Sequence, residues 1–323
     1  MIEPQLFIII GLILAASVFI AHIAGRLGVP ALVVFLALGM LLGSDGVTKI
    51  QLSNAEIAQS VGVIGLIAIL FEGGLSTSFR RLRSVAVPAI LLSTVGVIIT
   101  AFLAGFVSHY IFDLSWKYSF LLGAVVSSTD AAAVFATLRY TSIKRKLART
   151  LEAETGINDP VAIALTLGFI SWVQHSQETI WKIAELMAKE LTIGLAAGLI
   201  FAFIARQIFC RLPNSIGSFA PVVSIATCVL VYGFTDLLGG SGFLAIYLVA
   251  LAIGSTPSRY RGQLTNFHEG LAFLAQVLMF IILGLFVLPH NLPAVALPSI
   301  IFAALLIIFI RPISVFLSMF NLD

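Results

Sequence analysis

The chain has 323 residues, of which 60% are hydrophobic and only 10% charged, and its mean hydropathy is +1.10. No soluble domain covers that much apolar surface, so the solvent for most of the chain is lipid. The net charge of +3 is dispersed among loops, which excludes a nucleic-acid footprint. Apolar runs that do not alternate exclude a transmembrane β-barrel, which leaves an all-α polytopic membrane protein.

Eleven spans are expected, near residues 6–25, 29–44, 57–75, 85–112, 118–138, 155–174, 186–209, 219–238, 242–256, 268–288 and 294–318. The first is not read as a signal peptide, because "MIEPQ" has no basic residue and no small-residue cleavage site follows. Lys and Arg test the count: 13 of the 18 fall in loops that follow odd-numbered spans or at the span ends beside them, and 4 in or beside loops that follow even-numbered ones. That asymmetry puts the N-terminus outside and the C-terminus in the cytoplasm. "LVVFLALGMLLGS" (Leu32–Ser44) resembles "FLAIYLVALAIGS" (Phe243–Ser255), seven spans later. Copies offset by an odd number of spans run in opposite directions, as in the inverted repeats of secondary transporters.

Few charges lie within the spans, so each one points to a function. Glu72, in "ILFEGGL" of span 3, either lines a cytoplasmic funnel or ends the span at the interface. Span 5 carries Asp130 directly after Ser127, Ser128 and Thr129, whose hydroxyls can replace lost backbone hydrogen bonds. This pattern predicts a helix broken at 127–130, although one structural hydrogen bond from an unbroken helix would also account for Asp130. Span 6 opens with "ETGINDP", where Thr155, Asn158 and Asp159 fall on one helical face ahead of Pro160. Pro160 lacks an N–H and leaves a carbonyl free nearby. Such an oxygen-rich cluster suits a hard cation; the alternative is a helix N-terminus capped by Asn or Asp. Glu154 and Arg311, the latter within span 11, are each costly alone and are expected to form a structural ion pair, unless Arg311 snorkels to the interface. Cys210 and Cys228 are read as packing residues, and the five histidines as mostly interfacial. "GGSG" (Gly239–Gly242) reads as a tight turn between spans 8 and 9.

Taken together and in this order, "ILFEGGL", "SSTDAAAVFATL", "LEAETGINDP" and "IRPISVF" resemble the NhaP-type bacterial cation/proton antiporters of the monovalent cation:proton antiporter superfamily, nearest to the potassium/proton branch. The resemblance implies that Asp159 alternately holds a proton or a cation. It implies that Asp130 and the Thr129 backbone complete the site for a monovalent cation, that Thr155 adds a hydroxyl, and that Asn158 is the Asn of the family's Asn-Asp pair. Glu72 would approach from the cytoplasmic side, and Glu154 and Arg311 would be the family's structural pair. An Asn-Asp pair is associated in the superfamily with electroneutral exchange. The implied assembly is a homodimer in a bacterial inner membrane. Its interface helices would lie at about 6–75 and 219–288, its moving core at about 85–174 and 294–318, and a connecting helix at about 186–209.

The expected function is therefore secondary active antiport of K+ or Na+ against H+, with no cofactor beyond the transported ions, no enzyme chemistry and no nucleic-acid partner. The family continues with two further core helices, one carrying a Gly-x-Arg-Gly-like motif. The sequence ends at Asp323, so a fragment that transports poorly by itself is expected. A gated K+ efflux pathway and an inactive partner subunit are the alternative readings.

Overall fold

A computed structural model of the chain describes residues 4–27, 30–46, 55–77, 79, 83–129, 144–174 and 180–320. Eleven helical segments carry the apolar spans among these residues: α1 (Pro4–Leu27), α2 (Ala31–Leu42), α3 (Ala55–Ser76), α4 (Ala86–Phe112), α5 (Trp116–Val125), α6 (Arg145–Gln174), α7 (Ile180–Arg211), α8 (Ala220–Leu237), α9 (Gly242–Gly254), α10 (Arg261–Phe286) and α11 (Pro289–Met319). Seven of them are long and apolar enough to cross a membrane. There are no strands among the described residues. In lipid the backbone must satisfy its own polar groups, and a continuous helix does so.

The departures from the expected boundaries follow from polarity. α6 starts at Arg145 rather than near 155, so "ETGINDP" lies inside a 30-residue helix and not at its N-terminus. The segment before Glu154 is charged and looks like a loop in composition, yet it extends the helix. α5 stops at Val125, after ten residues. At ~1.5 Å per residue it covers about half of a hydrocarbon core. Its end falls just ahead of the interruption expected at 127–130, while Asp130 and the rest of the expected span lie outside the described residues. His268 also departs from the interfacial expectation, since it is buried within α10. The "GGSG" turn is as expected: Gly239 takes a φ of +73°, and the Ser241 hydroxyl accepts from the Leu244 amide to cap α9.

The chain divides into two compact units, one of residues 1–69 and 267–294, the other of residues 70–266 and 295–323. In the first, Phe35, Val277 and Ile281 form the core between α2 and α10. The two helices cross at glycines: a Cβ on Gly39 would meet the Ile281 carbonyl at 2.3 Å, and one on Gly284 would meet the Leu36 carbonyl at 2.3 Å. Close backbone approach through small residues is the main packing force available in lipid. The same unit carries a polar tie between Asp45, after α2, and His290, at the start of α11.

In the second unit α4, α5 and α6 share a core of Val97, Ala101, Ala124, Ala162, Leu165 and Phe169. α4 meets α11 at Ala104, Phe302 and Ile310. α5 is set tightly on α4, where a Cβ on Gly123 would lie 2.1 Å from the Ala101 carbonyl. Here the end of α5 is brought to the middle of α6.

Two predictions follow from the first unit. Gly39→Ala and Gly284→Ala should each destabilise the protein by about 1–3 kcal/mol, the usual range for overpacking; thermal unfolding in detergent checks this, with Gly25→Ala, which meets no neighbour, as the control. The hydrogen bond from His290 holds the Asp45 carboxyl below the usual carboxylate range. A lowered folded value means that the contribution is present above the ordinary range and fades as pH falls through the lowered one. His290→Gln should therefore lower the melting temperature slightly at about pH 6 and lose that effect as the carboxylate titrates in acid.

Candidate functional site

The site is built where α5 ends against α6. Beyond Val125 the backbone leaves the α-helix, with Val126 at φ −89° and ψ 1°. The Ser127 hydroxyl turns back to donate to the Ala124 carbonyl at 2.7 Å, and the Ser127 amide donates to the same carbonyl at 3.2 Å. Three consecutive residues then take three different partners. The Ser127 carbonyl accepts from Arg311 Nη2 at 2.6 Å, the Ser128 hydroxyl donates to Asp159 Oδ1 at 2.6 Å, and Thr129 Oγ1 accepts from Asn158 Nδ2 at 2.9 Å.

On the other side, α6 presents Asn158 and Asp159 from its interior. The Asn158 side chain is 0% exposed, and its Oδ1 has no hydrogen-bond partner among the described residues. An unpartnered buried carbonyl oxygen is costly unless something electropositive is meant to reach it. Pro160 follows within the helix. Lacking an N–H, it leaves the carbonyl four residues back without its usual donor. Carboxylate, amide and hydroxyl oxygens thus lie together among the described residues, a set suited to a hard cation.

The expected residues fare differently. Asn158, Asp159 and Thr129 are brought together. Thr155 is buried beside them, but its hydroxyl donates to the Leu151 carbonyl on its own helix at 2.9 Å. Glu72 is half-buried near the end of α3 and accepts from Ser76 at 2.6 Å. Glu154 is buried, and the Arg311 guanidinium donates a hydrogen bond to the Ser127 carbonyl. Asp130 lies outside the described residues.

Three participants were not singled out from the sequence as site residues. Ser128 stood in the hydroxyl triplet, but nothing in the triplet says which member reaches Asp159. The Ser127 carbonyl is a backbone atom and carries no sequence signal. Tyr247 is buried on α9, and its hydroxyl has no hydrogen-bond partner among the described residues. It is the one polar-tipped side chain in "GFLAIYLVALAIG", and that isolation was the available clue.

Comparison with known proteins gives the family and the fold. The family model described as "Sodium/hydrogen exchanger, transmembrane" matches residues 12–322. The chain is 38% identical over 318 residues to the K(+)/H(+) antiporter NhaP of Alkalimonas amylolytica, covering 97% of this chain and 54% of that protein. It is 36% identical over 316 residues to the K(+)/H(+) antiporter NhaP2 of Shewanella sp. strain ANA-3, covering 97% and 55%. The chain therefore spans about half the length of these curated relatives. In structure it is similar to the sodium proton antiporter MjNhaP1 of Methanocaldococcus jannaschii at pH 8, with a TM-score of 0.87 at 26% identity, covering 97% of this chain and 78% of that one. A multi-pass helical chain with buried oxygens gathered around one aspartate, matched by the family model along nearly its whole length, belongs to the sodium/hydrogen exchanger family.

Proposed function

We propose that this chain forms the ion-exchanging part of a secondary active antiporter that moves one monovalent cation against one proton through Asp159. The observation that carries this reading is the juxtaposition of the Asp159 carboxylate, held by Ser128, with the buried Asn158 Oδ1 next to it in the chain, which meets no donor among the described residues. A carboxylate away from water is stable only when neutralised. A proton does this on one oxygen, and a cation does it by taking the carboxylate together with neighbouring oxygens. The two occupants exclude each other, and exchange follows if only the neutralised site crosses between the two faces of the membrane.

Asn158 supplies an oxygen without a second charge. One carboxylate at this pair therefore balances one cation or one proton, which favours electroneutral exchange. K+ is the first candidate and Na+ the second, because several relatives named K(+)/H(+) antiporters are 34–38% identical and a relative named a Na(+)/H(+) antiporter is 28% identical. In this reading Asp130 completes the site, Thr155 buttresses α6, and Glu72 guides ions from the cytoplasmic side. Two copies work as a homodimer in a bacterial inner membrane, with the N-terminus outside and the C-terminus inside. No cofactor takes part beyond the transported ions.

Two results check the proposal in proteoliposomes carrying a pH-sensitive dye. Asp159→Asn should abolish cation-driven proton flux, while a flux within about twofold of the unmodified protein would contradict the role given to Asp159. Ser128→Ala removes a hydrogen bond that competes with the cation for Asp159 Oδ1. It should change the apparent cation KM by about twofold to tenfold, with Vmax changed less. Cation flux without any accompanying proton flux would favour a gated efflux pathway instead.

A further inference from the structure

The loop between α9 and α10 forms an open cavity of about 550 Å³, lined by Ser255, Thr256, Pro257, Ser258, Arg259 and Arg261. The lining carries two guanidinium groups and three hydroxyls, and no carboxylate. Two of the hydroxyls are set to donate. Ser255 Oγ accepts from the Phe79 amide at 3.0 Å, and Ser258 Oγ accepts from the Tyr260 amide at 3.3 Å. A hydroxyl whose oxygen is engaged in this way still has its proton to give. Thr256 serves the loop instead: it is buried, and its hydroxyl donates to the Ala252 carbonyl at 2.8 Å.

The loop is also held from the side of the α7–α8 connection. The Tyr260 hydroxyl donates to the Pro213 carbonyl at 3.4 Å, and Gln263 Nε2 donates to the Ser218 carbonyl at 3.3 Å. The Tyr260 ring lies so close to Gly217 that a Cβ there would come within 2.2 Å of it. Arg259 and Arg261 flank this anchored tyrosine and are themselves exposed. A backbone already fixed loses little further entropy when a ligand arrives. A lining of donors and positive charge calls for a ligand of acceptors and negative charge, and the guanidinium fork matches the oxygens of phosphate. The place matters as much as the chemistry. The apolar helix α9 ends at Gly254, and α10, long and apolar enough to cross a membrane, begins at Arg261.

We propose that this cavity binds the phosphate of an anionic phospholipid headgroup, with Arg259 and Arg261 as its charged contacts and Ser255 and Ser258 as hydroxyl donors. Free phosphate offers the same oxygens. Lipid is favoured because the cavity opens where two apolar helices end, at the level of the headgroups. In the orientation given above, the headgroup comes from the cytoplasmic leaflet. None of these residues belongs to the oxygen set around Asp159, so the site stands whatever that aspartate does.

The test uses the purified protein in neutral detergent, reading thermal unfolding against phosphatidylcholine, phosphatidylglycerol or inorganic phosphate at matched ionic strength. Phosphatidylglycerol should stabilise the unmodified protein beyond phosphatidylcholine, and native mass spectrometry should find it retained on the chain. Arg259→Gln together with Arg261→Gln should need at least about tenfold more phosphatidylglycerol for the same stabilisation and should lose the retained lipid. Ser258→Ala should need about twofold to fivefold more. Arg26→Gln, which removes an exposed charge at the end of α1, should match the unmodified protein. Stabilisation by inorganic phosphate but not by phosphatidylglycerol, lost in the double variant, would overturn the lipid and assign the cavity to a free phosphate group. An equal lipid response in the double variant, or no response of the unmodified protein to either anion, would overturn the site. Should the double variant fail to fold, an unchanged response in both single arginine variants would overturn it as well.

Discussion

A backbone that leaves the helix inside a membrane must find partners for the groups the helix no longer satisfies, and the rest of this structure depends on how that is done after Val125. Three successive residues are tied to three different groups, Arg311, Asp159 and Asn158. Each tie answers a local need. The first caps a carbonyl at a helix end, the second gives a carboxylate a donor, and the third fixes the amide so that its oxygen faces no donor among the described residues. The same bonds that make the interruption tolerable therefore assemble the oxygens that a cation would use. Structure and site are one set of interactions here, which is why so few polar residues suffice in so apolar a chain.

The supporting elements act through close approach rather than through polar contacts. Gly123 lets α5 lie against α4, and the alanine-rich seam of Ala101, Ala124 and Ala162 brings α6 in beside them. Small residues place backbones near each other and leave the few hydrogen bonds to set register. The hydrogen bonds that join Thr100, Ser314 and the Gly96 carbonyl are such a register mark between α4 and α11. Pro160 is tolerated within α6 because the neighbouring side chains supply polar company at that level.

Much of this was legible in the sequence, and the rest was hidden for definite reasons. The spans follow from runs of Leu, Ile, Val and Ala, and Lys and Arg mark the loops. Asn158, Asp159 and Thr129 stood out because polar groups in lipid are costly and therefore few. The start of α6 did not stand out, because the charged segment at 145–152 has the composition of a loop and forms helix only in continuity with the apolar run after it. The π-helical turns of α4 and α11 left no composition signal, since Leu92–Gly96 and Leu306–Ile310 read as ordinary apolar helix. Arg311 was recognised as needing a partner and was assigned the Glu154 carboxylate. The structure gives it the Ser127 backbone carbonyl, an atom that every residue has and no sequence pattern advertises. The Thr155 hydroxyl donates its proton to its own helix, a local bond that the sequence does not show.

The central claim is that a proton and a cation compete for the oxygens of Asp159. Its most direct measurement is proton release from weakly buffered, purified protein on addition of KCl, with choline chloride as the control. Competition predicts release of about one proton per protomer, saturating with cation and lost in Asp159→Asn. Cation binding that saturates without releasing protons would contradict it.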